Sequence, residues 1–381
     1  MELGFLKPLF DRPGPWASVY IDTSWASEDA AQQWHLRRRA VAGQLIDAGA
    51  DAYTCEALMR RLAEEPVSGT PPGRALFAAG AEVVLDLPLA AAPYIGEASW
   101  STLPHTAPLA GLRDDQPPCL VAFIDHVGAD LELWDALRQE PAGRAEGTPW
   151  RGHRTVPEDR HEWHYRNRVE NTWKQNAEII ADEINRTWPE CGAGLLVLAG
   201  DARERKVVRE RLPQQIRAVT VETEHGSRSS AGRADGHLDE AVAGIREEHA
   251  RKRLRDALDH FRAGRGRGGE HRPGSVEAGP GEAAEGVPAV LDALRSHQVA
   301  TLLLAQIAPD AGRDVWIGPG ADQVGVQRGD VQAMGVPKPE RARADDALMR
   351  SAAAGDAEVM LVPDGMAGPS GGLGAVLRWT T

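Results

Sequence analysis

No stretch of this 381-residue chain is apolar for long enough to cross a membrane. Its first residues, MELGFLKPLF, lack the basic-then-apolar layout of a secretory signal. Cysteine is scarce. Cys55, Cys119 and Cys191 stand alone, odd in number and without the paired spacing of a metal site, so buried thiols in a reducing cytoplasm are expected. Positive charge is in deficit as well: 43 Lys and Arg face 56 Asp and Glu, for a formal net charge of −13. Lys and Arg are what grip phosphates, which excludes an indiscriminate nucleic-acid binder and leaves RNA contact as a local matter. Gly318, Gly320 and Gly325 lack a strand–GxxxxGK–helix frame, so nothing indicates a nucleotide site. Ser227, Ser229 and Ser230, near His225 and Asp235, form no triad order and read as a polar loop before a helix.

What is present is ordinary globular composition, 42% hydrophobic and 26% charged, in a chain long enough for two or three domains. Residues 17–22 read as a strand, 27–48 and 51–65 as charged, Ala-rich helices, and 75–79 with 83–87 as a hairpin around Gly80. Pro104, Pro108, Pro117 and Pro118 punctuate a connector. A second lobe opens with strands at 120–125 and 130–134, followed by an irregular stretch over 138–160. Tyr165, Val169, Trp173, Ala177, Ile180 and Ile184 then recur at spacings of three and four, which predicts a long helix. A strand at 195–198, a charged helix, a strand at 216–221 and a second long helix over 238–261 follow. Residues 264–285, rich in Gly, Pro and charge, are expected to be a linker or surface loop. A third lobe reads helix 286–296, strands 299–304 and 313–317, helix 343–354, and strands 357–362 and 373–379. Strands alternating with helices predict an α/β protein of three domains: an N-terminal α+β domain (1–114), a middle domain (115–263) and, after the linker (264–285), a C-terminal α/β domain (286–381).

The loop and helix start at 150–174 gather Arg151, Arg154, Arg160, Arg166, Arg168 and Lys174, interleaved with His153, His161, His164, Trp150, Trp163 and Trp173. Cations bind phosphates and planar rings stack on bases, so the segment reads as an RNA contact. Glu158, Asp159, Glu162 and Glu170 permit the plainer reading of a charge-balanced helix end. His161 and His164 are three apart, whereas a zinc-binding helix spaces its histidines by four, so no metal is expected. Arg262, Arg265, Arg267 and Arg272 are spaced by glycines and read equally as an RNA-draping segment or an ordinary linker.

The pair Gly371-Gly372 admits backbone or contacts that a Cβ would forbid, and residues 373–379 read as a buried strand. Gly371, Gly372, Leu373, Gly374, Leu377, Arg378 and Trp379 together resemble the terminal strand of archaeal and eukaryotic class-I release factors and of Pelota. The helix–strand pairs at 286–304 and 343–360 resemble other parts of the same C-terminal domain, and the middle lobe resembles the superfamily's ribonuclease-H-like central domain. In this order the chain is similar to the bacterial archaeo-eukaryotic release factor family, in particular its actinobacterial, Balon-like members. Two departures stand out: the loop at 148–161 has no Gly-Gly-Gln and no glutamine at all, and the N-terminal lobe has no Asn-Ile-Lys-Ser. The resemblance implies a ribosome-associated factor that enters the A site without terminating translation, a hibernation or stalled-ribosome factor. It also implies contact with ribosomal RNA and with the elongation factor that delivers tRNA, no membrane and no cofactor, and a monomer off the ribosome. The alternative is a quality-control-type peptidyl-tRNA hydrolase whose catalytic bases would be His153 and His161.

Overall fold

The computed structural model describes residues 1–25, 29–67, 69–94, 96–113, 116–148, 161–229, 236–268 and 282–378, apart from the side chains of 161–171 and 266–268. The chain divides into two compact units, one of Met1–Asp115 with Arg253–Thr381 and the other of Gln116–Lys252.

The first unit begins with a 3-10 turn and a short helix α1 (Lys7–Phe10), then β1 (Trp16–Asp22), α2 (Ala30–Asp47), α3 (Ala52–Arg61), β2 (Gly73–Ala79), β3 (Glu82–Leu89), β4 (Glu97–Ser101) and α4 (Leu109–Leu112). The strands form an antiparallel sheet in the order β3-β2-β1-β4. Because side chains alternate along a strand, β1 feeds two cores. Ala17, Val19 and Ile21 pack under Trp34, Val41 and Leu45 of α2 and Leu58 of α3. Trp16 and Tyr20 face the opposite side, in a core completed by residues of the C-terminal stretch such as Leu302 and Leu348.

The second unit holds β5 (Cys119–Ile124), β6 (Gly128–Trp134), β7 (Gln139–Glu146), α5 (His161–Cys191), β8 (Leu195–Gly200), α6 (Ala202–Arg211), α7 (Gln214–Ala218), β9 (Thr220–Thr223) and the first part of α8 (Gly236–Gly268). Its sheet runs β7-β6-β5-β8-β9, with β5, β8 and β9 parallel and β6 and β7 antiparallel. Leu120, Ala122 and Ile124 of β5 pack with Ala177, Ile180 and Ile184 of α5, the stripe that the helical spacing marks out. Cys119, Val121 and Phe123 pack on the other face with Leu238 and Val242 of α8.

Two sequence expectations fail in this unit. Residues 139–146, read as irregular, form the edge strand β7; of these residues only Ala145 is buried, so there is no apolar alternation to see, and an edge tolerates Pro141. Residues 216–221, read as one strand, contain the end of helix α7. Ile216 is the one buried residue of α7, and the Thr220 hydroxyl, at the start of β9, donates back to its carbonyl at 2.7 Å.

The rest of the first unit comprises β10 (Ala283–Glu285), α9 (Gly286–Arg295), β11 (Val299–Ala305), β12 (Asp314–Ile317), β13 (Val324–Gly325), α10 (Arg328–Ala333), β14 (Glu340–Arg343), α11 (Ala344–Ala354), β15 (Glu358–Val362) and β16 (Leu373–Leu377). One sheet runs β10-β16-β11-β15 and a smaller one β13-β12-β14. The expected linker at 264–285 is thus regular at both ends, helical through Gly268 and paired to β16 from Ala283. Residues 269–281 between them lie outside the described residues. Gly371 and Gly372 form the turn ahead of β16 with φ of 70° and 85°. A Cβ on Gly372 would lie 2.4 Å from the Ala308 Cα. The glycines are therefore required by both conformation and space.

Candidate functional site

The chain leaves β7 at Glu146 and re-enters description at α5, so residues 147–148 are the root of the loop that the sequence marks for RNA contact. Asn176, 3% exposed on α5, fixes that root. Its Oδ1 accepts from the Thr148 N–H at 3.0 Å, while Nδ2 donates to the carbonyls of His126 (2.8 Å) and Thr148 (3.2 Å). The Gly147 N–H donates to the Val127 carbonyl at 2.8 Å. A Cβ on Gly147 would sit 2.1 Å from the Asn176 Oδ1, so only glycine lets the amide come this close. On the same turn, Asp125 Oδ1 accepts from the N–H groups of Val127 and Gly128, both at 2.8 Å. The guanidinium of Arg228 then pairs with Asp125 (3.4 Å), Asp130 (3.3 Å) and Glu146 (3.3 Å). Residues 146–148 are therefore held on a cross-linked base.

Beside this base lies a small, solvent-open cleft at the carboxyl ends of β5 and β8, the place where open α/β sheets bind ligands. Ile124, Ala177, Ile180, Val207 and Val208 make an apolar floor, and Asp125, His126, Trp173, Arg203 and Glu204 stand around it. Asp201 starts α6 by accepting from the Arg203 N–H at 2.9 Å, a helix cap that sets both Arg203 and Glu204 at the rim. The Arg203 guanidinium lies over the Trp173 indole, 4.5 Å from its centroid. Burial, then the charges of Asp201 and Asp125, push the Glu204 pKa up, with His126 acting the other way. Glu204 thus places a carboxyl inclined to hold its proton beside an apolar floor.

A second cluster lies in the first unit and joins residues that no local pattern connects. His105 Nδ1 is 2.9 Å from Asp346 Oδ2, and the Thr106 N–H donates to Asp346 Oδ1 at 2.9 Å. Arg343 donates to Asp345 at 2.7 Å and 3.1 Å. Tyr20 donates its hydroxyl to the His105 carbonyl at 2.6 Å. One ligand atom each from His105, Asp345 and Asp346 lie within 4.8 Å of one another, a spacing a metal ion could bridge. Each carboxylate is already engaged, however, Asp345 by the Arg343 guanidinium and Asp346 by the His105 ring and the Thr106 N–H. Burial opposes a charged imidazole here, yet the hydrogen bond and charge of Asp346 outweigh it and raise the His105 pKa. Burial also pushes the Asp346 pKa up, and the cluster is a buried, hydrogen-bonded lock between the segment after β4 and the start of α11.

Of the residues singled out in the sequence, Arg151, His153, Arg154, Arg160 and Trp379 lie outside the described residues. His161, His164 and Arg166 fall in α5 and Arg267 in α8, with side chains outside the description. Arg265 is helical and pairs with Glu285 at 3.0 Å. Arg378 donates to the carbonyls of Gly355 (2.9 Å) and Asp356 (2.6 Å), Gly374 packs against Pro369 and Phe261, and Leu373 is fully buried. Leu377 of β16 pairs with Val299. The terminal segment is a structural closure of its sheet. Asn176, Gly147 and Arg228 carry no sequence signature of their own, because their partners come from distant elements.

Residues 118–267, which include the loop base and the cleft, match the family described as bacterial archaeo-eukaryotic release factor family 2. Over that segment the chain resembles this release-factor family. Two proteins of Mycobacterium tuberculosis, one from each of two strains and both named uncharacterized, are similar to it at 26% identity, over 98% of this chain and 96% of theirs. Among solved structures, an archaeal translation termination factor is similar at 17% identity over 98% of this chain and 96% of its own, with a TM-score of 0.25. Archaeal Pelota, from a structure described as ribosome-bound Pelota with ABCE1, is similar at 14% identity over 100% and 94%, with a TM-score of 0.36. The family match makes residues 118–267 a release-factor-like segment. No helix among the chain's described residues is long and apolar enough to cross a membrane.

Proposed function

We propose that this chain binds the ribosome and occupies the A site without terminating translation, as a hibernation or stalled-ribosome factor. One observation carries the reading: a release-factor middle segment whose loop at 148–161 contains no Gly-Gly-Gln and no glutamine. Peptide release depends on a group that orients water against the ester, and neither that side chain nor its glycine pair is here. The loop instead offers Arg151, His153, Arg154, Arg160 and His161, with His164 and Arg166 following, as contacts for ribosomal RNA. Its root, clamped by Asn176 and Arg228, supports a projecting role, since a loop on a rigid base presents its tip with little loss of entropy. The missing Asn-Ile-Lys-Ser fits a factor that reads no stop codon. Delivery by the elongation factor that carries tRNA belongs to the same reading, as does a division into three working lobes at about 114 and 264–285.

The test is a peptide-release assay on ribosomes that carry peptidyl-tRNA. The account expects no release above a buffer control. Release well above it would favour the quality-control-type hydrolase; His153→Ala, His161→Ala and, at the cleft, Glu204→Gln would then find the group responsible.

A further inference from the structure

The small sheet β13-β12-β14 lies outside the family-matched segment, and its outer face carries cations on a chain that is acidic overall. Val315 and Ile317 of β12 turn inward and are buried, so Asp314 and Trp316 face outward. Register places Trp316 opposite Arg341 of β14. The Arg341 guanidinium carbon lies 5.2 Å from the centroid of the half-buried indole, and that of Arg328 lies 5.6 Å from it. Arg328 opens α10, where a reciprocal cap between Gln327 and Asp330 fixes the chain. It is exposed and makes no ion pair among the described residues. Arg341 meets Asp314 at 3.4 Å, but the two side chains are 67% and 65% exposed, so water weakens the pair and leaves the guanidinium free to exchange partners.

We propose that Trp316, Arg328 and Arg341 form a contact for single-stranded RNA, the guanidiniums taking phosphates and the indole–guanidinium layer taking a base. Two cations alone would suit any polyanion. A cation held over an aromatic ring adds a planar surface, and unpaired bases stack on such surfaces whatever their sequence. A duplex hides its base faces and gains only the charge. The choice of RNA over an acidic protein segment rests on the translation reading above; the geometry itself does not depend on the loop at 148–161.

The measurement is fluorescence anisotropy of a labelled twelve-nucleotide oligouridylate with the full chain, repeated over a salt series. Arg328→Ala with Arg341→Ala should weaken binding about tenfold or more and lower the salt slope by about 1.4, some 0.7 for each phosphate lost. Trp316→Leu, which removes the ring but keeps an apolar side chain, should weaken binding about fivefold or more, and Trp316→Phe less. If the double variant melts early, Arg328→Glu alone replaces it. Unchanged affinity and slope in these variants would overturn the proposal, as would equal binding of an RNA duplex or of a polyglutamate peptide, the latter marking an acidic-protein surface. Co-sedimentation of the double variant with ribosomes separates the two readings: retained sedimentation with oligonucleotide binding unaffected by these substitutions sinks this site and leaves the A-site account standing.

Discussion

Asn176 shows how one buried side chain can fix the backbone on which a loop begins. Its amide is used on both sides by backbone groups of Thr148 and His126, and a buried polar group left without such partners costs about 1–3 kcal/mol. Gly147 is the complement, because its missing side chain is the space the amide occupies. The same logic gives a quantitative expectation at the other end of the molecule. Gly372→Ala places a Cβ 2.4 Å from the Ala308 Cα at a φ of 85°, and should lower the unfolding free energy by about 1–3 kcal/mol or more in a urea titration. A Gly372→Ala chain with an unchanged urea midpoint would show that the turn relaxes freely. Of these residues, only the glycine pair was visible in advance, since adjacent glycines before an apolar run form a local signal. An asparagine within an amphipathic helix does not announce what it will bind, and Gly147 looked like any loop glycine.

At the scale of elements, those with runs or stripes of apolar side chains were legible and short or polar ones were missed. β1, β5, β8, β11 and β15 carry runs of Val, Ile, Leu and Ala, and α5 shows its stripe at Ala177, Ile180 and Ile184. β7, β13, α10 and β14 are short or polar, and their pairing comes from neighbours rather than from their own sequence. The lock between the segment after β4 and α11 belongs to this second kind, since His105 and Asp346 are 241 positions apart. It makes a prediction with a definite sign. The His105 ring faces Asp346, with Glu97 at 3.9 Å and Asp345, Arg343 and Tyr20 around it, and its pKa is raised in the folded state. A raised pKa means that folding favours the protonated ring. The stability it contributes is fully present below the unfolded histidine value of about 6.5 and is lost as pH rises through the folded value. Urea midpoints from pH 6 upward should therefore fall with pH in the native chain and fall less in His105→Gln. Parallel pH profiles for the two proteins would exclude a charged His105 from the lock.

At the scale of the whole molecule the chain forms two compact units. The first and last stretches of sequence build one unit with a shared core of Trp16, Phe77, Leu302 and Leu348, while residues 116–252 form their own unit around β5. The release-factor match begins at residue 118, almost at that unit's start, so the loop and the cleft are carried by a body with its own core. With a net charge of −13, long-range attraction cannot bring this chain to RNA, and binding must come from local cations. Ribosome association should accordingly be strong only at low salt and fall steeply as salt rises. The direct measurement is a sucrose gradient of tagged protein from growing and from starved cells, run at low and at raised salt. The account predicts that the protein travels with idle ribosomes in starved cells at low salt and leaves them as salt increases; protein that stays at the top of the gradient in starved cells at low salt would contradict it.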